Sequence, residues 1–350
     1  MKLVGLHVDR IRGRSLKKSR RISEKSLHEL RRQVEAGDRT LALDPKFSGR
    51  ATIKQRATER AFHFRIAGMN DAHSTQSSAV ARFRAMHESG CFVLPNPWDV
   101  GTAVYLRHLG FEALATTSAG VAFARGMPDA TPALPLDDML AHIREVVAAT
   151  PLPVNADFQS GYADEPEGVA ANVTLCIATG VAGLSIEDNT GDISSPLYEA
   201  NLAIERIRAA RHAIDASRIP VLLTGRCEAW LVGQPGPLRV ALERLVAYAG
   251  AGADCLYAPG VREPGEIAAI VKAVSPKPVN VLMHGPSATL TVSRLADLGV
   301  RRVSVGSALA RVAWGAFIRA AQSIASTGTF DAFADAVPFA EINDVFCKRR

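Results

Sequence analysis

From Phe83 onward the apolar positions of this chain fall into two alternating patterns. Short, near-continuous apolar runs occupy Cys91–Leu94, Ala113–Thr116, Val154–Asp157, Gly183–Glu187, Val221–Thr224, Cys255–Tyr257, Val279–Leu282 and Arg302–Val305. Segments of helical character lie between and after them: Gly101–Leu109, Leu136–Ala149, Glu167–Thr179, Leu202–Ala216, Pro237–Ala251, Pro264–Val274, Ala288–Leu298 and Ala308–Ile324. Buried strands alternating with amphipathic helices predict a parallel sheet covered by helices. Eight such units in about 240 residues predict a closed (β/α)8 barrel of TIM type, not an open doubly wound sheet. Gly110, Gly180, Gly252 and Gly299 fall where each helix must stop before the next strand, as helix C-caps do.

Two segments stand outside this pattern. The tail from Thr329 to Arg350 carries Phe330, Phe333, Phe339, Ile342 and Phe346 at roughly helical spacing. It predicts an extra C-terminal helix that covers the barrel's flank or packs on a second subunit. Residues 1–78 are basic, with 18 Lys/Arg against 8 Asp/Glu. The remaining 272 residues hold 23 against 27, so the net charge of +6 belongs to the N-terminal segment. That composition cannot bury a core, which predicts a poorly ordered extension at 1–78 and a barrel domain at 79–350. Three readings of the extension compete: a basic arm for nucleic acid, a transit peptide, or an over-long start with translation beginning at Met69. Glu24, Glu29, Glu35 and Asp38 count against the transit peptide.

The five cysteines are widely spaced, with no CxxC pair and no metal-ligand spacing to histidine. No run reaches the roughly 18–20 apolar residues of a membrane span. Reduced thiols and a cytoplasmic location are expected, with no membrane partner.

The candidate chemistry lies at the strand ends. In a parallel barrel the site is assembled at the C-terminal ends of the strands. Asn155 and Asp157 end the third strand, Glu187 and Asp188 the fourth, Arg226 the fifth, and Asn280 lies on the seventh. A long loop after the second strand brings Asp129. Carboxylates and one guanidinium at a common mouth suit a divalent cation and a small anionic substrate. Mg²⁺, with Mn²⁺ as an alternative, takes one or two carboxylates and keeps several waters. Asp157 suits direct contact, with Glu187 and Asp129 on coordinated waters. Each acid could instead be a salt bridge or helix N-cap, a reading that fits Asp99 and Asp188 well. Arg226 can grip a carboxylate through two parallel hydrogen bonds, or it can be permanently paired with Glu187 or Glu228. Thr117, Ser118 and Ala119 are small enough to bring backbone N–H groups to an anion, or simply to make a tight turn.

Taken in order, Pro95–Asp99, Thr116–Gly120 with Gly126–Asp129, Asn155–Tyr162, Gly183–Asn189 and Gly225–Ala229 resemble the isocitrate lyase/phosphoenolpyruvate mutase superfamily. The resemblance spans about Phe83 to Phe346. It implies an α/β barrel, Mg²⁺, and a small 2-oxo or 2-hydroxy acid whose C–C or P–C bond breaks through a pyruvate-like enolate. It places Asp157, Glu187 and Asp129 around the metal, and Arg226 with the Thr117–Ala119 backbone on the substrate. It further implies a homodimer or homotetramer that exchanges its last helix.

Three departures narrow the expectation. Asn155 stands where the family has an acid. The family's lyases carry a Lys-Arg/Lys-Cys-Gly-His loop whose Cys is the general acid, and mutases place a Lys there; this chain has Thr190–Ser195 with neither. Tyr257–Pro259 and Asn280–Met283 lack the glutamates of tricarboxylate-cleaving relatives. The expected activity is a Mg²⁺-dependent C–C lyase, with water, Tyr162 or Ser118 handling protons. The alternatives are a phosphonopyruvate-type hydrolase or mutase, and a non-catalytic 2-oxo acid binder with a nucleic-acid arm.

Overall fold

The computed structural model describes residues 74–348. The readings of the basic extension, Met69 as a start included, concern residues outside that range. Helix α1 (74–85) crosses the expected boundary between residues 78 and 79. Gln76, on its first turn, donates to the carbonyls of Ile177 and Val181 at 2.9 and 3.0 Å.

Eight strands follow: β1 (Phe92–Leu94), β2 (Leu114–Ala115), β3 (Val154–Asp157), β4 (Gly183–Glu187), β5 (Leu222–Arg226), β6 (Cys255–Tyr257), β7 (Val279–Leu282) and β8 (Arg302–Ser304). They pair in the order β1-β8-β7-β6-β5-β4-β3-β2, every ladder parallel. β1 and β2 share no ladder. The Ala115 N–H donates across that seam to the Pro95 carbonyl at 3.0 Å, so the ring all but closes. Asn96 clasps the same seam: its amide donates to the Thr116 carbonyl, and its Oδ1 accepts from Val305 and Gly306 N–H.

The surrounding helices are α2 (Val100–His108), α3 (Ser118–Ala124), α4 (Leu136–Ala149), α5 (Pro166–Ile177), α6 (Ala200–Ser217), α7 (Pro237–Gly250), α8 (Pro264–Val274), α9 (Val292–Asp297), α10 (Ala308–Thr327) and α11 (Phe339–Cys347). Gly110, Gly180, Gly252 and Gly299 all take positive φ at the helix-to-strand turns, as the pattern requires. Two elements differ from the sequence reading. Thr117–Gly120, read as an anion-binding backbone or a tight turn, opens the short helix α3, with the Thr117 hydroxyl capping Gly120 N–H. The helix expected over Ala288–Leu298 starts only at Val292. Ser287 Oγ first accepts from Thr289 and Leu290 N–H, and Thr291 is the N-cap.

The main core lies between strands and helices, built from outward residues such as Leu184, Ile186 and Leu223. Phe83, His87 and Phe92 plug the N-terminal end of the barrel, their rings 4.8–6.2 Å apart. The interior above that plug departs from the branched apolar layers usual in this architecture. Asn155, Ser185, Thr224, Asn280 and Arg302 are buried there. Gly183 is required beside them: a Cβ would lie 2.7 Å from Asn155 Oδ1 and 2.8 Å from the Phe83 ring. Gly183→Ala is expected to lower unfolding stability by about 1–3 kcal/mol in urea titrations, and an unchanged midpoint would show that the plug yields.

The tail divides. α11 packs on α2, with Val345 buried and the Phe346 ring near Gly101. α10 buries only Ala310 along its 20 residues and leaves Val312, Phe317 and Ile318 exposed.

Candidate active site

The C-terminal ends of the strands surround a cavity of about 150 Å³. Asp157, the last residue of β3, is fixed from β2's exit. Its N–H donates to Thr116 Oγ1 at 2.9 Å, and its Oδ2 accepts from Ser118 N–H and Ser118 Oγ at 2.8 and 2.9 Å. The Ser118 N–H at the start of α3 is therefore given to a side chain of the protein.

Arg226, at the end of β5, is the hub. Nη1 lies 3.2 Å from Asp157 Oδ1 and 3.0 Å from Glu187 Oε2, and Nε bonds Glu228. Its guanidinium carbon stands 5.2 Å from the centre of the Tyr257 ring. Nη2 has no acceptor among the described residues. The pairing with Glu187 and Glu228 read from the sequence as an alternative to ligand binding is present, and Asp157 shares it. Register explains the convergence: Glu187 pairs with Arg226, and Arg226 with Tyr257, on neighbouring parallel strands.

Electrostatics follow from burial and crowding. Glu187 and Glu228 are pushed above the usual carboxylate range by burial, against the pull of Arg226. Asp129 is raised by burial and then by the charge of Asp157. Burial alone would lower Arg226, but Glu187 and Glu228 carry it well above its ordinary value. Tyr257 is pushed up to about 12 by burial.

The loops that hold these groups are themselves tied down. Gln159, with φ of 45°, donates to the Ala130 carbonyl and accepts from Ala133 N–H, anchoring the segment that carries Asp129. Arg206 is buried beneath the β3 exit loop and donates to the carbonyls of Ser160, Ala163 and Asp164. Asp188 accepts from Glu228 N–H, Tyr248 Oη and Arg244, a purely structural set. Asp99 caps α2 through Thr102 N–H. Both fit the structural role read from the sequence.

The structure brings Asp157, Glu187 and Arg226 into direct contact, and Asp129, Ser118, Thr117, Ala119, Asn155 and Asn280 to the same cavity. Tyr162 is placed elsewhere. Its hydroxyl donates to Gln159 Oε1 at 3.2 Å, and its ring packs 5.1 Å from Phe158, outside the cavity lining. Burial pushes its hydroxyl far above the ordinary tyrosine value. The Thr190–Ser195 segment is an exposed turn in which Asp192 accepts from Ser194, so it offers no acid to the cavity. Glu228 carries more than the sequence reading gave it; spacing of two along an extended segment was the available signal. Arg302 was missed altogether, though a charged residue opening an apolar run was visible.

Residues 83–325 match the family model described as phosphoenolpyruvate phosphomutase. The chain belongs to the isocitrate lyase/phosphoenolpyruvate mutase superfamily. Within that superfamily it is similar to an uncharacterized Mycobacterium tuberculosis protein, 34% identical over 74% of this chain and 94% of the relative. A solved Burkholderia cenocepacia chain whose name goes no further than lyase/mutase is 48% identical. It covers 78% of this chain and 97% of its own, with a TM-score of 0.74. Oxaloacetate acetylhydrolase, solved with the product oxalate, is 27% identical with a TM-score of 0.69, covering 77% of this chain and 94% of its own. The superfamily comprises C–C lyases and mutases, and this chain is an enzyme of that lyase class. Among the described residues no helix is long and apolar enough to cross a membrane.

Proposed function

We propose that this enzyme cleaves a C–C bond of a small 2-oxo or 2-hydroxy carboxylate and releases a pyruvate-like enolate. The observation that carries the reading is Arg226, held by Asp157, Glu187 and Glu228 with Nη2 left over. A guanidinium so fixed presents its remaining donor where anionic charge develops, which is the most effective form of electrostatic catalysis.

The mouth also suits a divalent cation. Three carboxylates (Asp157, Glu187, Glu228) contact Arg226, and Asp129 lines the same cavity, raised by burial first and then by the charge of Asp157. Among the described residues no three acidic, histidine or cysteine side chains are grouped to hold an ion unaided. Mg²⁺, or Mn²⁺ in its place, needs only one or two protein carboxylates and keeps several waters. Asp157 would touch the ion, with Glu187 and Asp129 on its waters. When bound, the ion supplies Lewis-acid stabilisation of enolate charge.

The chain's own residues do the rest. Arg226 orients the substrate carboxylate and shares the developing charge. Because Ser118 N–H is given to Asp157, the Thr117–Ala119 backbone has a smaller part than the sequence implied. Ser118 Oγ, 2.9 Å from Asp157 Oδ2 and facing the cavity, can pass a proton to or from water. Tyr162 is too well engaged for that task. The small cavity favours short substrates over tricarboxylates.

The same reading includes a second copy of the chain. A 20-residue helix that buries one alanine and exposes Val312, Phe317 and Ile318 supports that reading. The occupant we assign is the exposed α10 of a partner. Phe317→Glu is expected to shift the protein from dimer or tetramer to monomer in sedimentation velocity; a wild type that is already monomeric would remove the assignment.

The activity is tested with a panel of small 2-oxo and 2-hydroxy acids and Mg²⁺ or Mn²⁺, scored for pyruvate or glyoxylate. Phosphonopyruvate, scored for phosphate, is included. Pyruvate or glyoxylate release is expected. Phosphate alone would move the chemistry to P–C cleavage, and no product from any member would overturn the reading.

A further inference from the structure

One layer below the carboxylates the barrel interior holds a second cation. Arg302 opens β8, and its side chain is buried, with 2% of the residue exposed. Its Nε donates to Asn280 Oδ1 at 2.9 Å and Nη2 to Thr224 Oγ1 at 3.0 Å, while Nη1 lies 3.4 Å from His87 Nε2. All three partners are neutral. His87 Nδ1 faces the Phe83 carbonyl at 2.7 Å, which leaves the lone pair of Nε2 towards the guanidinium. His87 is lowered to about 3 by burial and by Arg302, so it carries no charge of its own. Among the described residues no carboxylate pairs with Arg302.

A buried charge without a counter-ion is among the costliest things a fold can hold. Arginine has five N–H donors, and three are used here, which leaves one on each Nη. The same layer contains a second unsatisfied group, Asn155 Oδ1, buried with no hydrogen-bond partner. Arg302 and Asn155 both line the cavity whose mouth holds Arg226. Thr224 and Arg226 are two residues apart on β5, as are Asn155 and Asp157 on β3, so the layers are separated by roughly 6–7 Å along the strands. Asn280, which accepts from Arg302 Nε, donates in turn to Ser304 Oγ at 2.9 Å.

We propose that Arg302 is the subsite for a second carboxylate, so that the substrate is a small dicarboxylate bridging Arg226 at the mouth and Arg302 at the floor. The inference rests on the reading of the cavity as a 2-oxo or 2-hydroxy acid site and narrows its substrate class. The distal carboxylate accepts from the two remaining Arg302 donors, and a hydroxyl or water beside it donates to Asn155 Oδ1. Arg302 thereby selects among substrates without taking part in bond cleavage.

Malate and 2-hydroxybutyrate make a matched pair of probes, equal in length and differing by one terminal carboxylate. Calorimetric titration of the Mg²⁺-loaded protein is expected to show malate binding at least tenfold tighter. In Arg302→Met that advantage is expected to fall below about twofold, with 2-hydroxybutyrate affinity unchanged. Should that variant not fold, Asn280→Asp serves, since it sets a carboxylate against Arg302 Nε in place. The same collapse is expected there. An advantage that persists in the variants, or is absent from the wild type, overturns the Arg302 subsite while leaving the 2-oxo acid site standing. If neither compound binds the wild type, both readings fall.

Discussion

Arg226→Met is expected to lower turnover by about 10²–10³-fold, the usual effect of removing one fixed donor from a charge-stabilising site. The same substitution strands Asp157, Glu187 and Glu228, and breaking a buried ion pair from one side costs about 3–5 kcal/mol. The loss should depend on pH in a defined direction. Glu187 and Glu228 already sit above the usual glutamate range because burial disfavours their charged forms, and Arg226 only partly offsets it. Without the guanidinium both move higher. A carboxyl raised on folding contributes its full stabilisation below its unfolded value of about 4.3, and loses it as pH climbs through the folded value. The deficit of the variant should therefore be modest at pH 5 and large at pH 8 in urea titrations. A deficit independent of pH would show that these carboxylates do not depend on Arg226.

Asp157→Asn is nearly isosteric, yet its effect is expected to be as large. One oxygen of Asp157 accepts from Ser118 N–H and Oγ, and the other from Arg226. An asparagine has one acceptor and one donor, so whichever way it turns, its NH₂ meets another donor. The lost charge also weakens the cation site. Mn²⁺ binding, read by electron paramagnetic resonance in the resting enzyme, should weaken by about 100-fold or more, and turnover should fall by roughly 10³. Full activity with unchanged Mn²⁺ affinity would take Asp157 out of the site.

Most of the architecture was legible because its signals are periodic. Buried parallel strands leave apolar runs, and β3, β4, β6 and β7 have the bounds read from the sequence. α3 was not legible, since seven residues of Ser, Ala, Gly, Val and Phe carry too little periodicity to separate a helix from a turn. At the mouth, Asp157, Glu187 and Arg226 were readable from their positions at strand ends. The partners of each were not, because register between strands distant in sequence decides them. Tyr162 shows the limit most clearly. Its place in the loop suggested a proton donor, but a backbone φ of 60° and the side-chain Oε1 of Gln159 turn its hydroxyl away from the cavity. The polar floor was hidden for a different reason. Asn155 and Asn280 were readable as strand residues of the site, but Thr224 was not, and only the closed ring brings the three together with Arg302.

The ring has one weak joint. Seven neighbouring strand pairs are stitched by ladders, whereas among the described residues β1 and β2 are held by one backbone hydrogen bond and the Asn96 side chain. Like a barrel with a single loose stave, such a wall gives way sideways at that place before anywhere else. The loose stave carries Thr116 and Ser118, which hold Asp157, so any yielding of the wall there reaches the charge cluster first through that carboxylate.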